Sequence, residues 1–138
     1  MWWQRLGGKF VVERSIRGHS PLCINYESND INAILNDARS IRGDAVFDVS
    51  YITGNTDYGN MLLFFNSDEY AWIRLLEHCE HLVVDPIRQQ LSGDVTFFDG
   101  VDGNFEIDQS ETVTRQTALS MLDCWLRTGK KLDYLHWG

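Results

Sequence analysis

The chain has 138 residues, a net charge of −8 and 43% apolar residues, among them five Trp, five Tyr and seven Phe. This suffices for one domain with its own core, while no apolar run nears the roughly 20 residues that span a bilayer. Three widely spaced cysteines (23, 79 and 124) make no disulfide framework, and the first residues lack the basic start and apolar stretch of a secretory signal, so a reducing cytoplasm is the expected setting.

Residues 1–18 read as a separate, partly mobile N-terminal segment, with 9–14 able to form a short strand between Gly7-Gly8 and Gly18. Residues 19–138 read as a single domain. Leu22, Ile24 and Tyr26 alternate on one face of a strand. Ser28 or Asn29 then caps a helix over about 30–41, with Ile31, Ile34, Leu35, Ala38 and Ile41 as its buried stripe and Asp30 well placed at its N-terminus. Arg42-Gly43-Asp44 ends that helix; in this setting the triplet reads as a stop and a turn. Residues 45–53 alternate as a strand, 54–60 read as a loop, and 61–65 as a buried strand.

After Asn66-Ser67-Asp68-Glu69 two readings stand open. Trp72, Leu75, Leu76 and Cys79 have helical spacing, which suits a helix over 70–81 capped by Ser67 or Asp68. Alternatively the four residues form a hairpin turn, 70–76 is a return strand, and 81–85 pairs with it. Pro86 closes that region. Residues 95–98 and 104–107 flank a turn containing Asp99, Gly100, Asp102 and Gly103. The last helix is the clearest element: Thr114 caps it, Ala118, Leu119, Leu122, Trp125 and Leu126 form its stripe, and Gly129 ends it. Arg127 places positive charge at its negative end. A short strand ending in Leu135-His136-Trp137 follows. The elements together imply an α+β fold, one antiparallel sheet packed by two helices at about 30–41 and 114–128.

Little in the chain reads as chemistry. His78-Cys79-Glu80-His81 groups metal-ligand types, but without the distant second pair of a structural zinc site. From Asp99, the third, fifth and sixth positions of a calcium loop would be Val101, Gly103 and Asn104, which is the wrong pattern. There is no nucleophile elbow, phosphate loop or dinucleotide fingerprint. No catalytic residue, metal ligand or cofactor is assigned, and the chain is not expected to be an enzyme.

Charge is unevenly spread: residues 1–18 carry a net +3 and residues 19–138 a net −11. Within 94–111 lie Asp94, Asp99, Asp102, Glu106, Asp108 and Glu111 with no Lys or Arg. Such a field repels nucleic acid and anionic membrane and attracts a basic protein surface.

Val113-Thr114, Ala118, Trp125-Leu126, Thr128-Gly129-Lys130 and the terminal Leu135-His136-Trp137 stand in an order that resembles the Imm-one family, immunity proteins of bacterial polymorphic toxin systems. The likeness extends back through Phe64-Phe65, the Asn66-Ser67-Asp68 turn, Ala71-Trp72-Ile73 and Leu82-Val83-Val84, covering about 20–138. It implies an α+β antidote with an antiparallel sheet, a strand rather than a helix at 70–76, and a toxin partner such as a deaminase or nuclease acting on nucleic acid in the bacterial cytoplasm. Such a toxin carries a basic substrate groove. The acidic loops are the expected contact: Asp57, Tyr58, Asp68, Glu69, Asp99, Asp102, Glu106 and Asp108. Two other readings are an acidic interaction domain with no toxin partner, and a small metal-dependent hydrolase built on His78 and His81.

Overall fold

A computed structural model describes residues 7–54, 56–77, 79–88, 90–129 and 136–137, and their side chains except at 56–58, 77, 79–84, 87 and 136–137. The fold is α+β. Its main sheet is antiparallel, in the order β2 (Cys23–Ser28), β1 (Lys9–Ile16), β3 (Ala45–Thr53), β4 (Thr56–Phe65), β5 (Tyr70–Glu77), β6 (Cys79–Val84), β10 (His136–Trp137). The short β9 (Val113–Thr114) pairs with the part of β5 that β6 leaves open, Thr114 facing Tyr70 and Val113 facing Ala71. A second, two-stranded sheet consists of β7 (Asp94–Phe98) and β8 (Asn104–Asp108).

Period-two alternation sorts the main sheet into two faces. Phe10, Val12, Phe47, Val49, Tyr51, Met61, Leu63, Phe65, Ile73 and Leu75 are buried on one face. They form a single core with α1 (Ile31–Ser40) and α2 (Arg115–Thr128). All five stripe residues of α1 are buried, and in α2 Trp125 is fully enclosed, its ring 6.2 Å from that of Phe10. The caps show why the helices begin and end where they do. Asp30, rather than Ser28 or Asn29, caps α1 by accepting from the Ala33 N–H at 3.1 Å; Ser28 and Asn29 are drawn to other backbone N–H groups. Thr114 caps α2 through the Thr117 N–H at 3.1 Å, and Gly129 takes φ 71° and donates to the Trp125 carbonyl at 2.8 Å.

The opposite face required a second cover, which corrects the expectation of one sheet. Phe64 on β4 and Trp72 on β5 lie in adjacent strands with rings 5.3 Å apart, and local alternation alone does not say what shields them. The β7–β8 hairpin lies over them. Val95, Phe97, Phe105 and Ile107 turn inward, and Phe105 meets the Phe64 ring edge-on at 5.1 Å. The layers are therefore helices, main sheet, hairpin.

Two further expectations change, and the open choice at 70–76 is resolved. Residues 9–16 are no loose appendage: β1 is an inner strand, bonded to β2 on one side and β3 on the other. Residues 70–77 are a strand, as the family resemblance implied, because Ala71, Ile73 and Leu75 continue the core face and Tyr70 and Trp72 the hairpin face. The expected loop over 54–60 is mostly strand: β4 begins at Thr56, and a register shift sets in where Tyr51 faces Gly59 and Ile52 faces Asp57. Of the terminal strand, His136 and Trp137 pair with Val84 and Val83, while 130–135 lie outside the described residues. No helix among the described residues is long and apolar enough to cross a membrane.

Candidate functional site

The outward face of the hairpin is where the acidity gathers. Because Val95, Phe97, Phe105 and Ile107 face the sheet, the alternate positions Asp94, Thr96, Glu106 and Asp108 face out and are exposed. Asp94 stands directly across the ladder from Asp108, and Thr96 from Glu106. At the tip, Asp99 and Asp102 are also exposed.

These carboxylates divide into two kinds. Asp99 is committed to the turn: its Oδ1 accepts from the N–H groups of Val101 at 2.8 Å, Asp102 at 3.2 Å and Gly103 at 3.1 Å. The Val101 and Gly103 bonds in particular hold its carboxyl below the usual range. Asp108 is committed at the other end, where it caps the 3-10 turn Gln109–Glu111 by accepting from the Ser110 hydroxyl at 2.6 Å and the Ser110 N–H at 2.9 Å. These bonds lower its pKa as well. Asp68, Asp94, Asp102 and Glu106, by contrast, make no side-chain hydrogen bond or ion pair among the described residues.

The cations are spent elsewhere. Lys9 pairs with Glu27 at 2.9 Å, Arg14 with Asp37 at 3.2 Å and Arg17 with Asp44 at 3.3 Å, so the basic N-terminal stretch neutralises its own neighbourhood. Arg17 also lies over the Phe98 ring at 4.5 Å and donates to Asn104 Oδ1, pinning the hairpin to the body. Arg39 and Arg127 share Asp123, Arg42 donates to the Arg39 and Ile41 carbonyls, and Arg88 donates to Thr112.

Beside the hairpin lies a cleft of about 520 Å³. One wall is β7, through Asp94, Thr96 and Phe98; the other holds Arg17, Asp44 and the β4–β5 turn. That turn is organised by buried Asn66. Its Oδ1 accepts from the N–H groups of Asp68 and Tyr70, both at 3.0 Å, and its backbone N–H donates to the Tyr70 carbonyl at 3.1 Å. A smaller cleft of about 180 Å³ under the hairpin tip gathers Glu13, Asp48 and Asp99. Glu13 and Asp48 are directly opposite across β1 and β3. Sequence reading missed this pair because it treated 1–18 as separate from the domain.

The tip itself depends on Gly100, which has φ 94° and sits so close to the sheet that an added Cβ would lie 3.2 Å from Val46 Cγ2. Gly100→Ala is expected to lower stability by about 2 kcal/mol through backbone strain and lifting of the tip. Urea unfolding checks this, and a loss under about 0.5 kcal/mol, the range of an ordinary surface change, would show that the tip tolerates a side chain.

The expected contact residues do not form one patch. Asp99, Asp102, Glu106 and Asp108 lie on the hairpin and Asp68 lines the cleft beside it, with Glu69 next to Asp68 at φ 68°; Asp94, which was not among the expected contacts, joins them on β7. Asp57 and Tyr58 are in β4, near the end of that strand remote from the β4–β5 turn, and their side chains lie outside the described residues. The same holds for the His78-Cys79-Glu80-His81 cluster. No group of three His, Cys, Asp or Glu able to hold a metal ion occurs among the described residues. Compared with known protein families and with curated proteins, the chain matches no family model and no curated protein.

Proposed function

We propose that the chain is an immunity protein. It binds a cognate bacterial toxin, a deaminase or nuclease acting on nucleic acid in the cytoplasm, and neutralises it by occupying the toxin's basic substrate groove. It performs no catalytic step, and its own charge disfavours nucleic acid and anionic membrane as partners. The observation that carries this reading is the division of charge: Asp94, Asp102 and Glu106 stand exposed and unpartnered on a hairpin that holds no cation, while the Lys and Arg side chains named above engage other groups. A groove built to hold a phosphate backbone is complementary to such a surface, and occupying it excludes substrate without chemistry. The order of motifs resembling the Imm-one family supports the same reading.

The test is direct. Mixed with the toxin domain encoded beside its gene, the protein is expected to form a one-to-one complex that elutes together in gel filtration, and to abolish the toxin's action on nucleic acid. Absence of a complex at micromolar concentration would overturn the proposal in favour of an acidic interaction domain with no toxin partner.

A further inference from the structure

The hairpin has a main-chain feature that its charge does not explain. Among the described residues β7 pairs with β8 alone, so its other edge joins no strand. Two bonds fix the phase of the ladder: the Gln109 N–H donates to the Gly93 carbonyl at 2.7 Å, and the Asp99 N–H to the Gly103 carbonyl at 3.1 Å. In an antiparallel pair, hydrogen-bonded and non-hydrogen-bonded rows alternate. With the register observed, Val95 with Ile107 and Phe97 with Phe105 are the hydrogen-bonded rows. The N–H and C=O groups of Asp94, Thr96 and Phe98 therefore point away from β8.

Those three residues line the cleft. One weak contact crosses to them, from Asn66 Nδ2 to the Thr96 carbonyl at 3.5 Å, beyond the normal range of a good N–H···O bond. The cleft has a volume of about 520 Å³. Its charged lining is Asp44, Asp68 and Asp94 against Arg17, whose charge is already matched by Asp44. An open strand edge is a template for a further strand, with main-chain bonds giving affinity and alternate side chains giving choice of partner.

We propose that β7 is a docking edge: an extended, basic segment of the toxin adds to it as a third strand along Asp94–Phe98 and directs Lys or Arg side chains at Asp68 and Asp94. This rests on the immunity reading and names the element that makes the contact. It also explains why a cleft of net acidic lining lies against an unpaired edge.

Amide hydrogen exchange read by NMR, on the free protein and on its complex with the neighbouring toxin domain, tests it. The amides of exposed Asp94 and Thr96 are expected to exchange readily in the free protein and at least tenfold more slowly in the complex, while those of Val95 and Phe97 are protected in both. Thr96→Pro removes a donor that faces the cleft and spares the bonds to β8. It is expected to weaken binding at least tenfold, whereas Thr96→Ala leaves it within twofold. Should Thr96→Pro disturb the hairpin, the exchange pattern of the unaltered protein decides. A complex in which the Asp94 and Thr96 amides stay unprotected overturns the docking edge and leaves the immunity reading standing. Absence of any complex overturns both.

Discussion

Replacing Arg115 by methionine is expected to lower the unfolding free energy by roughly 3–4 kcal/mol, the range seen when a buried charged group is removed from its partners. The residue opens α2, yet its side chain turns inward and is buried. Nη1 donates to the Ile41 carbonyl at 2.8 Å, and Nη2 to the Gly43 carbonyl at 2.9 Å and to the Asn66 carbonyl. The guanidinium also lies 4.9 Å from the Phe65 ring centroid. One planar fork thus ties the exit of α1, the start of β3 and the β4–β5 turn to the first turn of α2. Burial pushes its pKa below the ordinary value, opposed chiefly by the Glu69 carboxylate. Methionine would fill the volume but leave those carbonyls without their donor, at about 1–3 kcal/mol for each buried group that stays unpaired. Part of this is offset because Nε has no partner to lose. Lysine, with a compact ammonium in place of the fork, is expected to recover less than half of the loss. The check is urea unfolding at constant m-value, with Arg127→Met as an exposed control expected to change stability by under about 1 kcal/mol. A loss below about 1 kcal/mol at Arg115 would place it among weak surface interactions rather than clamps.

Arg115 also shows where sequence reading had a signal and passed over it. A cation in the first helical turn faces the positive end of the helix dipole, so it needs another reason to be there. The stripe of α2, the Thr114 cap and the Gly129 stop were legible because capping and 3.6-residue periodicity are local properties of the chain. The strand at 70–77 was ambiguous because Trp72, Leu75 and Leu76 satisfy either period over so short a run. Its place beside β4 settles the conformation, and that placement is a tertiary fact. The second sheet was illegible for a related reason: alternation in 95–98 and 104–107 shows that one face is buried without naming what it is buried on. At the candidate site, the acidity of 94–111 was visible in the sequence. The engagement of Asp99 and Asp108 with backbone and hydroxyl donors was not, since it depends on turn geometry.

That distinction separates stability from recognition within one hairpin. Asp99 and Asp108 hold its two ends, Arg17 fastens it to the body, and the inward aromatics fix its distance from the sheet. Asp94, Asp102 and Glu106 contribute to none of these tasks and are free to present charge. A surface used for fast association benefits from this arrangement, because its charges are held in place without being neutralised.

Changing Asp94, Asp102 and Glu106 together to lysine is accordingly expected to slow association with the toxin by roughly 10- to 1,000-fold at low salt, the range over which electrostatic steering acts. Dissociation is expected to change much less, since long-range steering acts chiefly on encounter. Near 1 M salt, where the screening length falls to about 3 Å, the association rates of the two proteins are expected to converge. Folding should survive, because exposed carboxylates without partners rarely matter by more than about 0.5 kcal/mol each. Lysine at 94 would even face Asp108 across the ladder and replace a like-charge pair with an opposite one. Asp99 is left unaltered in this set because its loss would loosen the tip and confuse charge with structure. Stopped-flow mixing across a salt series measures the effect. An association rate that the triple change leaves within twofold at low salt would place the toxin contact away from the outward face of the hairpin.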